Sequence, residues 1–155
     1  MTQRFDYDLL VIGAGSGGVR AARKSAEFGA RVAVVEEAAL GGTCVNVGCI
    51  PKKLYVYASE FASAWREAKG FGWRSEGVSF DWDTLRDNKS KEIARLNAIY
   101  ERLLNAPGVD IITGHGTLTG PQSVLVNGHT YHAEKILLAT GTSVSYTHLT
   151  LPTRY

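Results

Sequence analysis

Two cysteines, Cys44 and Cys49, are the only ones in the chain, in the run Gly41-Gly42-Thr43-Cys44-Val45-Asn46-Val47-Gly48-Cys49-Ile50-Pro51-Lys52-Lys53. Two thiols this close in sequence can cycle between dithiol and disulfide and so exchange electrons with another disulfide. On an ideal helix, residues five apart have Cα atoms about 8.6 Å apart. A disulfide tolerates about 7 Å. The pair therefore bridges only where the helical turn is distorted. Gly48 supplies backbone freedom, and Pro51, lacking an N–H, deprives the Val47 carbonyl of its helical partner. A strained bridge is the more easily reduced. Two other fates are open to such cysteines. They can be buried free thiols, or half of a metal site. A Cys-x4-Cys spacing lacks a metal pair's usual tightness, and His115, His129, His132 and His148 are scattered, so no metal is expected.

A second chemical signal precedes the first. Gly13-Ala14-Gly15-Ser16-Gly17-Gly18 fits a G-x-G-x-x-G turn between strand and helix. Gly13 makes the tight turn, Gly15 admits a pyrophosphate to the backbone, and Gly18 allows close helix–strand packing. Glu36, about 20 residues on, stands where an acid takes ribose hydroxyls. The alternative is a plain glycine-rich turn and a stray surface glutamate. The fingerprint does not separate FAD from NAD. The downstream thiols favour FAD, since a flavin passes two electrons to a disulfide, with its ring near Cys49 and the other thiol facing substrate. Lys52 and Lys53 are either a solvated helix face or cations at the flavin's reactive edge. Arg20 and Arg23, three apart, share one helix face. Tyr100 fits a core position equally well.

The elements needed to position these groups are legible. Tyr7–Ile12 is an apolar run read as a buried strand, Gly15–Phe28 a helix presenting Val19, Ala22 and Ala26, and Arg31–Glu36 a second buried strand. This β–α–β order predicts parallel pairing. Residues 51–68 read as a helix stopped by Gly70-Phe71-Gly72-Trp73. Asp81 or Asp83 caps a long helix to about Asn105. Val109–Thr113, Gly116–Leu118, Ser123–Val126 and His129–Ala133 read as short antiparallel strands, with Asn127-Gly128 a type I′ hairpin signal. Lys135–Ala139 is a final buried strand. The fold class expected is α/β: a Rossmann-like parallel sheet with crossover helices and a small antiparallel excursion over residues 109–133.

Bulk properties narrow the class. The 155 residues are 45% hydrophobic and 21% charged, ordinary for one globular domain or part of one. A net charge of +2 gives no case for nucleic acid or an anionic membrane as partner. The N-terminus lacks a signal peptide's layout and no apolar run is long enough to span a bilayer, so a cytoplasmic protein is expected. Disulfides there are usually transient and catalytic. The run from Ser143 to Tyr155 continues no pattern. Residues 144–155 resemble the translation of a sequencing adaptor and are expected to be a non-native tail, leaving residues 1–143 as the domain.

The run Gly41–Lys53 resembles the redox-active stretch of the glutathione reductases, within the flavin-dependent pyridine nucleotide–disulfide oxidoreductases. The resemblance extends from Tyr7 to Gly141, including Leu96-Asn97-Ala98-Ile99-Tyr100 and Ala139-Thr140-Gly141. It implies FAD, held by Ser16 and Gly17 at the pyrophosphate, Glu36 at the ribose, Thr43 and Cys44 at the flavin, and Gly116 through its backbone. It implies Cys44 as the interchange thiol that attacks glutathione disulfide and Cys49 as the charge-transfer thiol beneath the flavin. Lys52 would sit by the flavin ring, and Ser16, Arg23 and Tyr100 would touch glutathione. NADPH would be the electron source and a homodimer the working form.

Relatives differ at particular residues. Dihydrolipoyl dehydrogenase and mercuric reductase typically carry Ser-Lys after the proline, where this chain has Lys52-Lys53. Trypanothione reductase shares the lysines but puts an aromatic residue at the position of Arg23. Arg20 and Arg23 suit the carboxylates of glutathione. The family's NADPH domain and C-terminal interface domain, which brings a His–Glu acid–base pair across the dimer, would follow Gly141 and are absent, so a fragment inactive by itself is expected. The rivals are a free-standing flavin-binding or thiol-sensing module and an NAD-binding structural domain with incidental cysteines.

Overall fold

A computed structural model describes residues 5–74 and 77–142. The tail expected from residue 144 onward lies outside the described residues. The apolar run becomes strand β1 (Tyr7–Ile12), followed by helix α1 (Ser16–Glu27) and strand β2 (Val32–Glu36). Two helices, α2 (Gly42–Asn46) and α3 (Cys49–Ala68), carry the thiol stretch; α4 (Trp82–Asn105) is the long helix. Strands β3 (Asp110–Thr113), β4 (Thr117–Gly120), β5 (Ser123–Val126) and β6 (His129–Leu138) follow. The sheet order is β3-β2-β1-β6-β5-β4.

Successive residues of the central strands are buried on opposite faces of the sheet, and that alternation of face builds two cores. Val11, Val32 and Val34 face Val19 and Ala22 of α1 and Leu104 of α4. Leu10, Ile12, Ala33 and Val35 face the other way, against Val124 and Val126 of β5 and Ala133 of β6. The antiparallel arm thus does on one face of the parallel sheet what the helices do on the other, as a buried parallel sheet requires.

Two strand expectations need correction. Val109–Thr113 is not part of the antiparallel excursion: β3 pairs parallel with β2, from Ala33↔Asp110 to Glu36↔Thr113. The chain between β2 and β3 contains α2, α3 and α4, and a crossover through helices delivers a parallel neighbour. Tyr7 ties this edge, donating from its hydroxyl to Asp110 Oδ2 at 3.0 Å. Burial first, then that hydrogen bond, pushes the Tyr7 phenol up to about 12. Second, His129–Ala133 and Lys135–Ala139 are one ten-residue strand. Its first part pairs antiparallel with β5 as far as His132↔Ser123, and from Ala133 it pairs parallel with β1. A single strand with two kinds of neighbour reads in sequence as two.

Other signals form as written. Asp81 caps α4, its Oδ1 accepting from Asp83 N at 2.9 Å and Thr84 N at 3.3 Å. Asn127 and Gly128 take φ of 51° and 82°, as a type I′ turn demands. No helix among the described residues is long and apolar enough to cross a membrane.

The closest packing lies at the first glycine turn. A Cβ on Gly18 would stand 1.9 Å from the Gly13 carbonyl oxygen. Gly18→Ala is therefore expected to cost at least about 3 kcal/mol in urea unfolding, through forced backbone displacement. Asp81→Ala, losing a cap on an exposed helix end, is expected to cost about 1 kcal/mol. Equal losses would contradict the packing described.

Candidate functional site

The site grows from two glycine turns in contact. Gly13 turns β1 into α1 at φ 104°, and a Cβ there would lie 2.3 Å from the Ala139 carbonyl oxygen. Gly15 caps α1 without any side-chain cap, and no acid occupies the first turn. The first N–H groups of α1 are thus left to whatever occupies the space before them, with the helix dipole favouring an anion. Gly41 N donates to Ala14 O at 2.8 Å, and Gly15 and Gly41 form a lone parallel bridge. A Cβ on Gly42 (φ 62°) would stand 2.8 Å from the Gly15 Cα. Glycine at positions 41 and 42 lets the thiol stretch lie against the first turn.

Glu36 locks the arrangement from the end of β2. Its Oε2 accepts from Ala14 N at 2.7 Å and its Oε1 from Ala38 N at 2.9 Å. The carboxylate is half-buried and fixed beside the glycine turn.

Helix α2 ends at Asn46, and the distortion that the disulfide geometry demanded appears as a full break at Val47-Gly48. Gly48 adopts φ −123°, ψ −107°. A Cβ there would be 2.9 Å from the Thr43 carbonyl oxygen. The expected helix over 51–68 therefore starts at Cys49, with Pro51 in its first turn, where a missing N–H costs nothing. Cys44 is half-buried and Cys49 exposed, both as thiols. The Cys44 thiol is pushed up from its ordinary value, first by the Cys49 thiol hydrogen-bonded to it, then by burial; the Cys49 backbone N–H and the charge of Lys52 pull the other way. The two lysines part company: Lys52 acts on Cys44, whereas Lys53 Nζ lies 5.3 Å from the centre of the Tyr57 ring.

One cleft of about 770 Å³ is lined by Gly13, Gly15, Ser16 and Gly17, by Glu36, and by Thr43, Cys44 and Cys49. That volume is within the range of small-molecule sites, about 300–1,000 Å³. Gly116 lies outside it, in an adjoining pocket of about 100 Å³ that shares Gly13, Glu36 and Thr140 with it. Gly18 is buried under the turn and touches no ligand space. The cleft lining does not include Lys52, Arg23 or Tyr100. Arg23 sits on α1 in a groove with Leu103 and Pro107, its Nε 3.3 Å from Glu27 Oε1. Tyr100, on α4, packs against the helix-side core. The sequence reading missed Ala139 and Thr140, which also line the cleft. Their signal was the end of the last buried strand beside the first, since parallel strands deliver their carboxyl ends to one crevice. It also missed Gly41 and Gly42 as contact residues, although paired glycines before a helix are their signature.

These features fit a dinucleotide: an uncapped helix start for phosphates, a fixed carboxylate for a ribose, and thiols beyond. Residues 7–153 match the family model described as pyridine nucleotide-disulphide oxidoreductase. The chain belongs to this family. It is 50% identical over 139 residues to a glutathione reductase of Burkholderia cepacia, covering 90% of this chain and 31% of that protein. A glutathione reductase of Nostoc is 43% identical over 137 residues, covering 88% of this chain and 30% of that protein. The chloroplastic/mitochondrial glutathione reductase of Pisum sativum is 44% identical over 150 residues, covering 90% and 27%. The chain thus spans less than a third of the length of these relatives.

The groups acting on Cys44 yield a directional prediction. Cys49→Ala removes the leading cause that holds the thiol up and is expected to shift the pH midpoint of Cys44 alkylation downward. Lys52→Gln removes a charge that favours the thiolate and is expected to shift it upward. Iodoacetamide rates followed by mass spectrometry across pH check both. Shifts of the opposite sign would contradict the geometry.

Proposed function

We propose that this chain is the FAD-binding, dithiol-bearing part of a glutathione-disulfide reductase. The observation that carries the reading is that both thiols share one cleft with the glycine turn and Glu36. FAD, when bound, would accept electrons from NADPH and supply them to the Cys44–Cys49 disulfide. Ser16 and Gly17 at the start of α1 would hold its pyrophosphate, Glu36 its ribose, Thr43 and Lys52 its flavin end, and Gly116 its adenosine end through the smaller pocket.

The chain's own chemistry is then thiol–disulfide exchange. The Cys44 thiolate attacks one sulfur of glutathione disulfide, forming a mixed disulfide and expelling one glutathione thiolate, which takes a proton. The Cys49 thiolate attacks the Cys44 sulfur and releases the second glutathione. Two electrons and two protons leave the dithiol, and the pair ends as a disulfide. Giving the first attack to Cys44 follows the likeness of Gly41–Lys53 to the glutathione reductases. Arg23 and Tyr100 are the proposed glutathione contacts, on two helices that pack together. Glutathione disulfide as substrate, a homodimer as working form and a cytoplasmic setting follow the same likeness.

The test needs no second substrate. The reduced chain is mixed with glutathione disulfide and the products are mapped by mass spectrometry. The wild type is expected to release two glutathiones and form Cys44–Cys49. Cys49→Ser is expected to stop at a glutathione adduct on Cys44, and Cys44→Ser to react at least tenfold more slowly. Equal adducts on either cysteine, or none, would overturn the assignment.

A further inference from the structure

Helix α2, which carries Cys44, has five residues, too few to hold a helix by its own hydrogen bonds. It lies between two left-handed glycines, Gly41 and Gly42, and the break at Val47-Gly48. Val45 is its one buried side chain. A further restraint comes from α4. Asn97 Nδ2 donates to Leu40 O at 2.7 Å and to Asn46 Oδ1 at 2.9 Å. Asn46 Nδ2 in turn donates to Gly42 O at 2.9 Å, Leu40 O at 3.1 Å and Ala39 O at 3.3 Å. Both amides are half-buried. Two side chains thereby gather the carbonyls of the incoming loop and tie α2 to the middle of a 24-residue helix. Neither amide is part of the exchange chemistry.

We propose that the Asn46–Asn97 amide pair is a positioning device that sets the effective concentration of the Cys44 thiol against Cys49, and with it the ease of closing the disulfide. The inference rests on the dithiol reading of the pair. Ring closure profits from a thiol already held in place, because the ordering cost has been met beforehand. Asn97→Asp would set a carboxylate oxygen against Leu40 O and Asn46 Oδ1, replacing two hydrogen bonds by repulsion. Asn97→Leu keeps the bulk and deletes the donors.

The test equilibrates the whole chain in glutathione buffers of graded GSH:GSSG ratio. The dithiol plus glutathione disulfide gives the Cys44–Cys49 disulfide plus two glutathiones, with two electrons and two protons transferred. Acid quenching and mass spectrometry give the equilibrium constant. Folding of each variant is checked by circular dichroism, and either folded Asn97 variant suffices. The constant is expected to fall about tenfold, equivalent to about 30 mV for a two-electron couple. Val124→Ala, in the core of the antiparallel arm remote from α2, is expected to lower thermal stability and leave the constant unchanged. A wild-type constant in a folded Asn97 variant would overturn the inference, as would an equal fall in Val124→Ala. If the wild type forms no Cys44–Cys49 disulfide at any ratio, the dithiol reading itself fails.

Discussion

The approach of the Gly41-Gly42 backbone to Gly15 is the contact on which the site depends. A single Cβ on Gly42 would stand 2.8 Å from the Gly15 Cα. Such a side chain would force apart the phosphate-type turn and the thiol stretch. The same economy recurs where Gly18 lies under the Gly13 carbonyl and where Gly13 lies against Ala139. Three segments far apart in sequence thus approach one another main chain to main chain at glycines. Glu36 reinforces the junction, since its carboxylate accepts from Ala14 N within the first turn.

The thiol pair shows how local backbone and distant packing divide the work. Gly48 breaks the helix and a new one starts at Cys49, which brings residues five apart within hydrogen-bonding reach. Their mutual effect is then electrostatic. The Cys49 thiol resists ionisation of Cys44, and one lysine a turn along α3 opposes that resistance. A pair tuned by so few groups responds to each of them separately.

Much of this was written in the sequence, for stated reasons. Uninterrupted apolar runs made β1 and β2 plain, and Asp81 or Asp83 marked the start of α4. The glycine turn, Glu36 and the two cysteines were found as separate motifs, and the structure sets them around one cleft. What stayed hidden was non-local. Nothing in Val109–Thr113 distinguishes a parallel edge strand from an antiparallel one, because pairing depends on the route of the preceding helices. Nothing in His129–Leu138 announces that its neighbour changes at Ala133. Asn97 looked like one more polar residue on a helix until α2 was placed beside it. Arg23 and Tyr100, singled out by resemblance, lie on two packed helices outside the cleft.

The central claim is that dinucleotide and dithiol occupy one continuous space. Its most direct test is the alkylation rate of Cys44 and Cys49 with and without FAD. The account predicts that FAD slows both, and that Glu36→Gln raises the FAD concentration needed for protection. Bound FAD that leaves both rates unchanged would contradict it.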